Sequence, residues 1–190
     1  MAKILVFLAD GFEDVEALAP IDVLRRGGQD VTTVSVMDDQ VVESAHGVQM
    51  VADAMFDDCD ISDADMLVLP GGMPGATNLY SHAGLRQALL AHNEKGGLIG
   101  AICASPGVVL GQLGLLNGRR ATCYPGFENL MQGGHYTAAV YTVDGNIVTA
   151  EGPAAALAFG YELLTKVVGE QTASQIAVGM RYAHLMGWKE

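Results

Sequence analysis

Cys103 is the side chain with the most chemistry in reach. It ends Leu98-Ile99-Gly100-Ala101-Ile102, an apolar run of strand length, and precedes Ala104-Ser105-Pro106-Gly107 and then Val108-Val109-Leu110, of helical character. Strand, sharp turn and helix in that order hold a side chain away from both elements and close to the free N–H groups of the incoming helix. A helix N-terminus favours negative charge and lowers a cysteine pKa toward neutrality, so Cys103 is the candidate nucleophile. The competing reading is a buried structural cysteine, because free Cys is among the most buried residue types.

Two other loops carry groups that would serve such a thiol. Glu13, Asp14 and Glu16 follow the first apolar run. A carboxyl group beside a thiolate donates a hydrogen bond when its pKa is raised, or acts as a general base once substrate arrives. Acids at a helix start are also favoured by the macrodipole alone, and Glu16 stands apart only if it points at the cysteine. Pro70-Gly71-Gly72-Met73-Pro74-Gly75 brings backbone close to a ligand; the N–H groups of Gly72 and Ala104 would together form an oxyanion hole. The five histidines show no metal spacing, and His135, after Gly133-Gly134, is the one expected nearest a pocket.

The elements that must position these loops read as follows. Lys3 to Leu8, Val31 to Val36, Met66 to Leu69 and Leu98 to Ile102 are apolar or β-branched runs expected as strands, most of them buried on both faces. Val15 to Arg26 reads as a helix interrupted or kinked near Pro20, and Leu85 to Leu90 as another. A helix from the cysteine turn to about Leu116, a strand Ala121 to Tyr124 and a short helix Phe127 to Met131 follow. Val41 to Glu43 and Val48 to Ala52 pair as a side hairpin. Val140 to Val143 and Ile147 to Ala150 flank Asp144-Gly145-Asn146, a hairpin turn. Gly152-Pro153 opens a long helix through Val168, and Thr172 to Met180 is a last helical pattern before a polar C-terminus.

Alternation of strands and helices predicts an α/β fold with a mostly parallel sheet, helices on both faces and ligands at the carboxyl ends of the strands, where all three loops lie. The 190 residues suit a single domain spanning 1–190, and 50% hydrophobic against 17% charged residues exclude disorder. A net charge of −12 argues against nucleic-acid and anionic-membrane surfaces. No run reaches transmembrane length, and Met1-Ala2-Lys3 enters a strand without a signal-peptide pattern, so a cytoplasmic protein is expected. Cys59, Cys103 and Cys123 are odd in number and widely spaced, which suggests neither a disulfide framework nor a metal site.

The ordered set Ala9-Asp10-Gly11-Phe12-Glu13-Asp14-Val15-Glu16, Pro20 to Arg26, Val68-Leu69-Pro70-Gly71-Gly72, Ala101-Ile102-Cys103-Ala104, Gly133-Gly134-His135-Tyr136-Thr137 and Gly152-Pro153 resembles the ThiJ/PfpI superfamily. Within it the resemblance is to the branch of the parkinsonism-associated protein deglycase and its bacterial relatives. It covers nearly the whole chain. The resemblance implies a flavodoxin-like fold, a homodimer, a nucleophile at Cys103, a protonated partner at Glu16 and backbone donors at Gly72 and Ala104. It also implies cofactor-free action on methylglyoxal, glyoxal or their adducts on protein or nucleotide, as a glutathione-independent glyoxalase or a deglycase. A redox sensor or chaperone using oxidation of Cys103 is the alternative, and a cysteine peptidase or amidase needs a histidine brought in from elsewhere.

Two departures stand out. Cys123-Tyr124-Pro125 replaces the Thr-His-Pro segment of the better-known member, leaving Tyr124 as the available hydrogen-bonding group. Ala104-Ser105-Pro106 replaces Ala-Gly-Pro after the elbow. Gly71, Tyr124 and His135 are the further pocket candidates.

Overall fold

The computed structural model describes residues 1–187; residues 188–190 of the polar C-terminus lie outside them. In chain order the elements are β1 (Lys3–Leu8), α1 (Asp14–Arg26), β2 (Asp30–Ser35), β3 (Val41–Glu43), β4 (Gln49–Val51), β5 (Ala54–Met55), β6 (Met66–Leu69), α2 (Gly75–Ser81), α3 (Ala83–Glu94) and β7 (Leu98–Ile102). After a π-helical segment, Pro106–Gly111, come β8 (Arg120–Ala121), β9 (His135–Tyr136), β10 (Tyr141–Asp144), β11 (Ile147–Ala150), α4 (Ala156–Val168), α5 (Glu170–Gly179) and α6 (Tyr182–Leu185).

The main sheet runs β10-β11-β7-β6-β1-β2-β5, parallel except for the β10–β11 hairpin. Its strands are apolar on both faces because both faces are covered. Ile4, Val6 and Leu8 pack with α1 and α4 through Ala17, Ile21, Leu24, Phe159 and Leu163. Leu5 and Phe7 point the other way, onto Leu79, Leu85 and Leu89 of α2 and α3. This is the flavodoxin-like α/β arrangement expected. Strand order reverses between β1 and β6, and at such a switch point the loops diverge and open a crevice. The loops after β1, β6 and β7 meet there.

Several local expectations change. Pro20 lies inside an uninterrupted α1. The helix after the cysteine is π-helical and ends at Gly111, short of Leu116. Gly111 lies flat against the carbonyl oxygen of Leu130, where a side chain would collide, and Gly114 turns the chain at φ +73°. Only Arg120–Ala121 pairs as a strand, because the N–H of Thr122 donates to Thr149 Oγ1 (2.9 Å) and that of Tyr124 to the Cys103 carbonyl (2.8 Å). The Phe127 to Met131 segment forms only one 3₁₀ turn, Glu128–Leu130. Helices α2 and α6 are additions: α2 begins on Gly75, a poor helix former, and both are short.

Candidate functional site

Cys103 sits where β7 ends, with φ +64°, left-handed backbone that L-residues adopt only under constraint. The constraint comes from both sides. Its N–H donates to the Ala150 carbonyl at the end of β11 (2.9 Å), and its carbonyl accepts from Tyr124 N–H. Two residues on, buried Ser105 donates from Oγ to the Pro70 carbonyl (2.5 Å), tying the elbow to the loop after β6. The departure from Ala-Gly-Pro thus adds a buried hydrogen bond, worth about 1 kcal/mol.

Glu16 enters from α1. It falls on the buried face of that helix with Ala17, Pro20, Ile21 and Leu24, and is fully inaccessible. Its Oε2 accepts from Gly71 N–H (2.9 Å), whereas Oε1 is buried without a nitrogen or oxygen partner. The carboxyl faces the thiol of Cys103. Gly71 makes this approach possible: a Cβ there would lie 2.5 Å from both Glu16 Oε2 and Cys103 Cβ. Gly72 is equally constrained, at φ +89° and against the Gly11 carbonyl. The N–H groups of Gly72 and Ala104 both act on the Cys103 sulfur.

The electrostatics of this pair revise the expected low thiol pKa. Burial, the neighbouring Glu16 charge and its hydrogen bond push the Cys103 thiol up to about 12, and the Gly72 and Ala104 donors oppose them without prevailing. Burial raises Glu16 to about 7, against the lowering influence of Cys103 and Gly71 N–H. The implied protonated carboxyl is therefore one of two nearly balanced forms at neutral pH. Protonating Glu16 removes the charge that holds the thiol proton in place, so the two groups compete for one proton.

The remaining candidates fall at different distances. Tyr124 is next to the elbow, half-exposed, with its ring against Gly152, 3.0 Å from where a Cβ would be. His135 is exposed on β9 opposite Arg120, and among the described residues no hydrogen bond or ion pair joins its ring to Cys103 or Glu16. Glu13 and Asp14 turn outward to His46, whose Nδ1 lies 3.6 Å from Glu13 and 2.7 Å from Asp14; the hydrogen bond to Asp14, with the Glu13 charge, raises the histidine pKa. These three place ligand atoms within 4.8 Å of one another, with His46 Nδ1 already held by Asp14. The role of Ser105 lies beyond what its sequence position discloses, the one signal being a hydroxyl next to a proline at the elbow.

A left-handed elbow cysteine facing a buried carboxyl group, at the carboxyl edge of a doubly wound sheet, defines an α/β protein built around a cysteine–glutamate pair. Residues 2–166 match the DJ-1/PfpI family, and the chain belongs to that family. It is 39% identical over 176 residues to Protein DJ-1 homolog B of Arabidopsis thaliana, a match covering 92% of this chain and 40% of that protein. The chain therefore spans less than half the length of this relative. With the Parkinson disease protein 7 homolog of Danio rerio it shares 33% identity over 178 residues, 92% of this chain and 94% of the other. The oxidised DJ-1 of Toxoplasma gondii has a similar structure, with TM-score 0.93 and 37% identity over 96% of this chain and 100% of that one. For Drosophila melanogaster DJ-1beta the values are 0.88, 31%, 95% and 98%. Among the described residues no helix is long and apolar enough to cross a membrane.

Proposed function

We propose that the chain is a cofactor-free cysteine enzyme acting on methylglyoxal, glyoxal or their adducts, as a glyoxalase or deglycase. The observation that carries this reading is the fully buried Glu16 carboxyl facing the thiol of Cys103. In the ionised form Glu16 takes the thiol proton as sulfur bonds to the aldehyde carbon, and the carbonyl oxygen develops charge where the Gly72 and Ala104 N–H groups point. Returning the proton to that oxygen gives a neutral hemithioacetal. For methylglyoxal, Glu16 then moves the proton from C1 to C2, the former aldehyde carbon becomes a thioester, and water releases lactate and the thiol. Methylglyoxal and one water become lactate, with no external oxidant or reductant. On an amine adduct, a carbinolamine, sulfur displaces the amine, which leaves with the proton Glu16 took from the thiol. The resulting hemithioacetal follows the same proton shift and hydrolysis by one water to the hydroxy acid.

The same reading takes a small carbonyl compound or a glycated protein or nucleotide as substrate, needs no cofactor, and treats the protein as a cytoplasmic homodimer. A second reading, a redox sensor or chaperone acting through oxidation of Cys103, is favoured by similarity to the oxidised Toxoplasma protein. The peptidase reading has no histidine hydrogen-bonded to Cys103 among the described residues to support it.

Purified protein should convert methylglyoxal to lactate without glutathione or metal. Cys103→Ser should lose at least about a thousandfold in turnover, and Glu16→Gln about a hundredfold or more. Folded, reduced wild type without turnover would overturn the enzyme reading in favour of the redox one.

A further inference from the structure

Gly71 and Gly72 have no side chains to fix the planes of the peptide groups in the loop after β6, and two successive groups there are each anchored at one end from outside. The group between Gly71 and Gly72 has its carbonyl held by the N–H of Glu13 (3.0 Å), and its own N–H acts on the Cys103 sulfur. The group between Pro70 and Gly71 serves the other half of the pair in the same way. Its carbonyl accepts from Ser105 Oγ (2.5 Å), and its N–H donates to Glu16 Oε2 (2.9 Å). Ser105 from the elbow and Glu16 from α1 therefore hold opposite ends of one peptide group. Ser105 is fully buried, so water does not compete for that carbonyl.

A donor on the carbonyl acts on the N–H in two ways. It fixes the peptide plane, whose rotation would turn the carbonyl oxygen toward the Glu16 carboxyl group and the N–H away from it. It also polarises the group, which strengthens the hydrogen bond that the N–H gives. An N–H donated to a carboxylate favours the ionised form. Space around Gly71 is tight, since a Cβ there would lie 2.5 Å from Glu16 Oε2 and Cys103 Cβ and 2.8 Å from the Ile102 carbonyl oxygen. The titratable groups acting on Glu16 are the Cys103 thiol and Glu13, which lies 3.6 Å from His46 Nδ1. On α4, packed against α1, Glu162 pairs with Lys166 and Tyr161 donates to Met180. Removing the Ser105 hydroxyl changes none of these charges.

We propose that Ser105 is a positioning residue for the Cys103–Glu16 pair, acting through the single peptide group of Pro70 and Gly71 to hold an N–H on the glutamate. This deepens the function proposed above and rests on the pairing of Glu16 with Cys103 in that reading. The hydroxyl donates to the Pro70 carbonyl rather than to sulfur or carboxylate. It sets how readily Glu16 ionises, and with it the share of molecules in which the thiol proton can be taken at neutral pH. Alanine in its place leaves the Pro70 carbonyl without its donor and the base tuned to a higher pH.

Infrared titration of the full-length protein reads Glu16 directly, through the stretching band of its protonated carboxyl group, assigned by its absence in Glu16→Gln. In wild type the band should disappear with a midpoint at about pH 7. Ser105→Ala, and Ser105→Gly as a second variant lacking the hydroxyl, should raise that midpoint by about half a pH unit or more. Methylglyoxal turnover at neutral pH should fall about twofold in both and recover at about pH 9, where Glu16 is ionised again. Ser105→Thr, which keeps the hydroxyl, should titrate as wild type whatever its melting temperature. A hydroxyl that only supports the fold would lower the melting temperature of Ser105→Ala and leave the midpoint in place. That result, or an equal shift in Ser105→Thr, overturns the positioning role, and a wild type without the band overturns the pairing along with it. A midpoint that moves as expected in a protein without methylglyoxal turnover leaves the positioning role standing and overturns the enzyme reading instead.

Discussion

The two ends of the parallel sheet are built on opposite terms. The amino end holds an open cavity of about 590 Å³ lined in part by Asp65, His92, Lys95 and Leu98. Its buried titratable group is satisfied: His92 Nε2 bonds to the Leu98 carbonyl (3.0 Å). The carboxyl end presents a left-handed cysteine, a buried carboxyl group facing its thiol, and two glycines that admit no side chain. Space by itself is therefore a poor guide to chemistry in this molecule. A buried acid beside a thiol and backbone strain, held by Ser105 and the Ala150 carbonyl, mark the end where the proposed chemistry falls.

The contrast extends to pH. Glu16 has a folded pKa raised from 4.5 to about 7, so its contribution favours the native state below its ordinary value and is lost as pH rises through about 7. The loss amounts to about 3 kcal/mol. Glu16→Gln should abolish that decline, leaving the variant more stable than wild type at pH 9 but not at pH 4, by urea unfolding at each pH. Equal pH dependence in the two proteins would mean that the carboxyl is not held in the apolar setting described.

His92 behaves in the opposite sense and more weakly. Burial lowers its pKa, so its contribution is present above the ordinary value of 6.5 and lost as pH falls below it. His92→Gln should flatten the acid limb of the stability curve and leave methylglyoxal turnover per folded molecule unchanged. A fall in turnover comparable to that of Glu16→Gln would dissolve the distinction between the two ends.

How far the sequence discloses this arrangement depends on the signal each residue carries. β1, β6 and β7 are legible because burial on both faces leaves them uniformly apolar, and the β10–β11 turn because Asp144-Gly145-Asn146 suits few other conformations. The short α2 is hidden by its opening glycine, and the premature end of the π-helical segment by contacts of Gly111 distant in sequence. Among Glu13, Asp14 and Glu16, the sequence leaves open which residue turns inward. Glu16 lies in line with buried Pro20 and Leu24 and Glu13 in line with buried Ala17 and Ile21, so the pattern marks a buried face and only the folded helix shows which acid it turns inward. The strand–turn–helix order announces a sharp turn at Cys103, but its positive φ is fixed by hydrogen bonds to β11 and from the Tyr124 segment that are distant in sequence. The high thiol pKa was equally invisible: proximity to a helix start predicts the reverse, and burial beside a carboxylate outweighs it.

The proton shared between Cys103 and Glu16 is best tested by the pH dependence of Cys103 alkylation with neutral iodoacetamide, in wild type and Glu16→Gln. Wild type should show a step in rate centred near pH 7, as ionised Glu16 becomes available to take the thiol proton, followed by a plateau. Glu16→Gln should lack that step and rise only in the alkaline range of a buried, isolated thiol. Identical profiles in the two proteins would contradict the pairing.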